Sequence, residues 1–323
     1  MRWKTILLLL LLAGLGIWTT YLARRKSPPP PAESPLPALP KVPEKTPPPL
    51  AGKGADFPDP SRWKKGIPKG GIFQVPIPPG WTFLEQRDLV DRAGFASGFL
   101  VAPSLKDTTR SLVWFPYMPL LSESSGLIRT MMERYRRFKK RALPKVGLIL
   151  YDHPDLGPLL RRAKWPFLPV CSPKEILQAF RNEWFGRYFW EKYGIPKPAG
   201  FALENPVTVK PGLAAARLAF RLGPDAEHLR PVEGLAFAAA GRPAPATGNW
   251  GMQLIFLQAP RGEWKKTRPI LQAVLAGLRY DPEKHLELVG EKRALEVQLT
   301  RKLLRILPRL DLDEIYRKTG RAR

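Results

Sequence analysis

The residues best suited to acid–base chemistry sit in YDHPD, where Asp152, His153 and Asp155 fall close together. An imidazole beside carboxylates can move a proton, but catalysis needs the partners fixed within hydrogen-bond reach. Neighbouring residues around a proline point in different directions, so this stretch reads as a turn. The serines of SESSG (Ser122–Gly126) lack the strand, sharp elbow and helix that expose a hydrolase nucleophile, and they suit a helix cap instead. Cys171, the single cysteine, has no histidine near it in the sequence and reads as an inert thiol. The three histidines, at 153, 228 and 285, show no metal-ligand spacing, and there is no Walker or dinucleotide glycine fingerprint. The sequence therefore points away from an enzyme and implies no cofactor and no metal.

Charge is the stronger signal. The formal net charge is +25, and Arg134, Arg136, Arg137, Lys139, Lys140 and Arg141 place six basic residues in eight. Such a run attracts polyanions, so these six are the candidate contact for an anionic partner: nucleic acid, anionic lipid or an acidic protein surface. Tyr135 and Phe138 interleave it as base-stacking platforms would. Their helical spacing, however, aligns them with Leu127, Ile128, Met131 and Met132 on one apolar face, which makes them core residues and leaves the basic face outside.

The elements that must position these residues follow from periodicity. Residues 71–84 read as a short edge strand, interrupted by Pro76, Pro78 and Pro79, entering a turn. Strands are expected at Phe95–Ala102 and Arg110–Met118, joined as a hairpin through SLKDTT. Helical patterns cover the basic run and a second segment from Pro173 to about Tyr193. Strands return at Phe201–Val209, Leu213–Leu222, Glu233–Ala240 and Gly251–Ala259, followed by a helix over Glu263–Arg279 that buries Trp264, Ile270, Leu271, Val274, Leu275 and Leu278. From Leu286 on, the pattern is again helical, with Leu295, Leu299, Leu303 and Ile306 or Leu307 in a stripe that Pro308 should kink or end. Runs of strands with helices between and after them argue for an α+β fold, an antiparallel sheet with packed helices.

Before this domain, Thr5–Ala23 run without a charge through Ile6, Leu7, Leu8, Leu9, Leu10, Leu11 and Leu12, with Trp18 and Tyr21 at the far end. At 1.5 Å per residue that is about 28 Å of helix, nearly the hydrocarbon thickness of a bilayer. A cleaved signal peptide competes with this reading, but small residues are poorly placed for cleavage, so an uncleaved transmembrane anchor is expected. Arg2 and Lys4 precede the span while Arg24, Arg25 and Lys26 follow it, which leaves sidedness open by charge. Thirteen prolines between Ser27 and Pro60 make a disordered arm rather than a core, able to reach roughly 100 Å if fully extended. The chain thus divides into an anchor (1–26), a proline-rich linker (27–68), a globular α+β domain (69–282) and a basic amphipathic helical tail (283–323). Few asparagines and glutamines beside many arginines and prolines lean toward a thermophilic source.

The segment PIPPGW (Pro76–Trp81), the meander after it, and the closing strand GMQLIFLQAP with the helix EWKKTRPILQAVLAGLRY resemble the PsbP-like fold of photosystem extrinsic proteins and their bacterial relatives. The resemblance covers about residues 70–281 and departs in the stretch 142–200 and in the tail. It implies a non-catalytic docking domain at an extracytoplasmic membrane surface. No functional residue carries over, since Gly80 suits a turn and Trp81 suits packing. The expected function is a membrane-tethered docking or scaffold protein of the cell envelope, held in the inner membrane with its domain in the periplasm and bound to other envelope proteins. The alternative is a binder of nucleic acid or another anionic polymer through the basic helix.

Overall fold

The computed structural model describes residues 59–84, 98–104, 107–115, 117–120, 133, 172–179, 199–222, 229–241, 250–290 and 294–320. The expected anchor, most of the arm and the basic run 134–141 lie outside the described residues. So do Asp152, His153, Asp155, Cys171 and the serines of Ser122–Gly126. Among the described residues no helix is long and apolar enough to cross a membrane.

The fold is α+β, and among the described residues every strand pair is antiparallel. A small sheet joins β1 (Lys64–Gly66), β2 (Phe73–Ile77) and β11 (Arg279–Tyr280) in the order β1-β2-β11. The main sheet runs β3 (Thr82–Leu84), β4 (Phe99–Ala102), β5 (Ser111–Trp114), β10 (Trp250–Pro260), β9 (Arg230–Ala240), β8 (Leu213–Leu222), β7 (Ala199–Lys210), with β6 (Met118–Leu120) also against β10. Among the described residues the α-helices of more than one turn are α1 (Pro173–Ala179), α2 (Trp264–Gly277), α3 (Pro282–Val289), α4 (Ala294–Ile306) and α5 (Leu312–Gly320).

Strand β10 is buried on both faces from Trp250 to Ala259, which an eight-stranded sheet achieves only when both faces are covered. Side chains alternate across a strand, so the core divides in two. Ile255, Leu257 and Ala259 join Leu235, Phe237 and Ala215 beneath α2, α4 and α5. Leu254, Phe256 and Met252 join Ala236, Ala238 and Ala216 on the other face, where Ile176 and Leu177 of α1 also pack. Alanine dominates β8 and β9 at the contacts, and its small side chain lets covering elements approach closely.

Several expectations are corrected in detail. The strand expected over Arg110–Met118 is two strands. Pro116, which has no N–H to give a ladder, falls between them. Tyr117 then passes over Gly251, where an added Cβ would lie 2.0 Å from the phenol oxygen. The edge-strand reading of 71–84 fails for β2, which sits between β1 and β11; β3 does form an edge of the main sheet. Strand β1 and the turn Pro60–Arg62 fall within the span read as linker, and they are held because Trp63 is buried in the core. Gly80 has φ 76, as its turn requires, and Trp81 packs on the core. Among the described residues the helical pattern from Leu286 divides into α3, which begins earlier at Pro282, α4 and α5, and α4 ends at Ile306, just before Pro308, as expected. Asp281 caps α3 through the Lys284 N–H at 2.9 Å with Pro282 in the first turn, and Asp311 caps α5 through the N–H groups of Asp313 and Glu314.

Gly234 in β9 has an ordinary φ, yet a Cβ there would fall 1.9 Å from the backbone oxygen of Leu257 on β10. The glycine is required by strand approach alone. Gly234→Ala is expected to cost about 3 kcal/mol or to prevent folding; urea denaturation checks this, and a cost below about 1 kcal/mol, the scale of an ordinary surface change, would contradict the tight β9–β10 approach.

Candidate functional site

Two polar constellations stand out, one sealed and one open. In the sealed one, α3 and α4 carry His285 and Glu296, and β11 ends in Tyr280. The side chains of His285 and Glu296 are 1% and 0% exposed, and Nε2 lies 3.1 Å from Glu296 Oε1. Tyr280 Oη lies 2.7 Å from Nδ1. One imidazole proton satisfies all three groups if Nε2–H donates to Glu296 and the Tyr280 hydroxyl donates to Nδ1. Next to them the Thr300 hydroxyl donates to Gln253 Oε1 of β10 at 3.2 Å. Burial, reinforced by the Glu296 carboxylate, pushes the phenols of Tyr117 and Tyr280 well above the ordinary tyrosine range, so both stay protonated.

A phenol, imidazole and carboxylate in a row resemble a proton relay, but no substrate reaches side chains this deeply buried. Their role is to pin α3 and α4 to each other and to the sheet. This displaces the apolar stripe expected on α4. Leu299 and Leu303 are buried as expected, but Glu296 and Thr300 share the buried face, whereas Leu295 is only half-buried.

The open constellation lies at the end of the helix-covered face, beyond α5. Arg217, Ala219 and Arg221 alternate along β8 and point to that face, and Pro231 and Glu233 do so on β9. Glu233 is fully engaged. It accepts from the Tyr316 hydroxyl at 2.6 Å and from the Gly262 N–H at 2.9 Å, and it faces the Arg217 guanidinium at 3.6 Å. Arg217 also donates to Tyr316 Oη at 2.6 Å and lies 4.2 Å above that ring, whose other face stacks on Trp264. Burial and the bond to Glu233 push the Tyr316 phenol up, so it stays a donor. Asn205, held at φ 45 in a bulged part of β7, donates to the Thr319 carbonyl at 2.9 Å and fixes the end of α5.

These contacts frame a solvent-open cleft of about 650 Å³, lined in part by Glu204, Arg217, Arg221, Pro231 and Arg261. Arg217 is neutralised internally. Arg221 and Arg261 are exposed and form no ion pair among the described residues. Among the described residues no cluster of three or more metal-ligating side chains occurs.

The structure leaves the six candidate basic residues, Arg134 to Arg141, and the anchor residues from Ile6 to Leu12 with Trp18 outside the described residues. Sequence reasoning missed the cleft. Its signal was two arginines breaking the apolar run LAAARLAFRL at a spacing of four, which puts them on one face of a strand.

No protein-family model matches the chain, and no curated protein matches it. Among solved structures the chain is similar to the solution structure of cyanobacterial PsbP (CyanoP) from Synechocystis, 10% identical, with 72% of this chain and 99% of that chain covered and a TM-score of 0.31. That is a weak similarity of fold.

If His285 and Glu296 pin the terminal helices, Glu296→Leu should cost about 3 kcal/mol by removing the carboxylate that accepts from the buried Nε2–H, and the double variant His285→Phe/Glu296→Leu should recover most of it. Urea denaturation of the four proteins measures the cycle, and additive losses would contradict the pairing.

Proposed function

We propose that the chain is a non-enzymatic, membrane-tethered docking protein of the cell envelope. Its apolar N-terminal segment serves as the anchor, the proline-rich arm as the spacer, and the α+β domain as the part that meets other envelope proteins. One observation carries this reading. The described groups arranged for acid–base chemistry are sealed and spent on holding helices, whereas the open concave surface presents Arg221 and Arg261, exposed and without ion-pair partners among the described residues. A surface of that kind favours association over bond-breaking. The placement outside the cytoplasm rests on the spacer, which has an obvious use in spanning an envelope compartment.

A second reading is favoured by the basic run Arg134–Arg141 in a chain of net charge +25: binding of nucleic acid or another anionic polymer. Chemical cross-linking of the full chain in intact membranes separates the two. Docking predicts a discrete protein complex of fixed stoichiometry that survives nuclease treatment. A nuclease-sensitive assembly, lost when Arg134, Arg136, Arg137, Lys139, Lys140 and Arg141 are reversed to glutamate, would overturn docking in favour of polymer binding.

A further inference from the structure

We infer that the cleft at the end of the helix-covered face is a binding site for an extended acidic peptide segment of a partner protein, with Arg221 and Arg261 as the carboxylate-binding pair. This rests on the docking reading above and names the chemistry of the partner.

The geometry comes from three adjacent strands. Arg221 on β8 stands opposite Pro231 of β9, and the Arg261 N–H, just past the end of β10, donates to the Pro231 carbonyl at 3.0 Å. The two arginines therefore flank Pro231 from either side, with backbones separated by two inter-strand spacings, about 10 Å. Pro231 and Ala219 give the floor between them no long side chain, so a ligand backbone can lie close to the sheet. Guanidinium forks bind carboxylates through paired N–H donors. In an extended peptide, side chains on one edge recur about every 7 Å, within the span that two flexible arginines bracket.

The remaining charges decide between classes of anion. Glu204 lines the same cleft and is exposed, without an ion-pair partner among the described residues. A carboxylate there repels a compact, multiply charged phosphate, but it suits a chain that alternates acidic groups with N–H donors. Glu233 adds no free charge, because Tyr316, Gly262 and Arg217 hold it. The stack of Trp264, Tyr316 and Arg217 makes that wall rigid, so little order has to be gained on binding.

The test uses the full chain in detergent micelles and a fluorescein-labelled peptide of alternating aspartate and glycine, read by fluorescence anisotropy. Arg221→Glu/Arg261→Glu should weaken binding at least about tenfold, the scale of losing charge-assisted contacts. Arg301→Glu/Arg305→Glu on α4 makes the same charge change away from the cleft and should alter binding less than about twofold, as bulk attraction is screened at physiological salt. Arg221→Lys/Arg261→Lys keeps the charge and removes the forks, so an intermediate loss is expected. Equal losses in the two charge-reversal variants would mean general attraction to a basic chain and would overturn the site. Tighter binding of inorganic pyrophosphate than of the peptide at the same two arginines would overturn the peptide assignment. Absence of peptide binding would also overturn it while leaving the docking reading standing, since that reading is tested separately by cross-linking in membranes.

Discussion

Everything in this domain depends on β10 being buried on both faces. A strand in that position exposes no side chain to water, so each residue it carries must find either apolar neighbours or a dedicated partner. Ile255, Leu257, Leu254 and Phe256 find apolar neighbours. The two glutamines find partners: Gln258 accepts from the Ser111 hydroxyl of β5 at 2.9 Å, and Gln253 accepts from Thr300 of α4. The second bond couples the strand to a helix more than forty residues further along the chain. Residues that look like a tail in the sequence therefore complete the core. Leu299, Leu303, Leu307, Leu312 and Ile315 are all buried there.

Once α4 is fixed over β10, the rest of the helical layer follows. His285 and Glu296 tie α3 to α4, and the Arg268–Asp313 pair and the Trp264–Tyr316 stack tie α5 to α2. The end of α5 then rests on the edge strand β7 and on β8, at Asn205 and Arg217. The cleft is what this layer leaves uncovered. Its rigidity is a by-product of the same contacts that close the core, and its charge arises because Glu233 neutralises one arginine of three.

Local signals were legible in the sequence. The bounds of Leu213–Leu222 follow from the sequence because Gly212, at φ 77, and Pro224 punctuate a mostly apolar run. The neighbouring strands extend past their expected bounds, β7 to Ala199 and Lys210 and β9 to Arg230, because the ladder continues through charged residues and Pro231 that the apolar pattern does not mark. Long-range signals were not legible. His285 and Glu296 are separated by a break between two helices, and whether they meet depends on the angle at that break. Arg221 and Arg261 come together across two strand spacings, a relation that strand order sets and composition does not. The basic run 134–141, by contrast, is contiguous in the chain and needs no fold to be seen.

The central claim is that α3, α4 and α5 are an integral layer of the domain, coupled to the sheet through β10. Native-state hydrogen exchange tests this most directly. The account predicts that amides of Leu254–Ala259 in β10 and of Leu299–Leu303 in α4 exchange through one global opening with equal free energies. Exchange of α4 and α5 through a separate, lower-energy opening while β10 stays protected would contradict it.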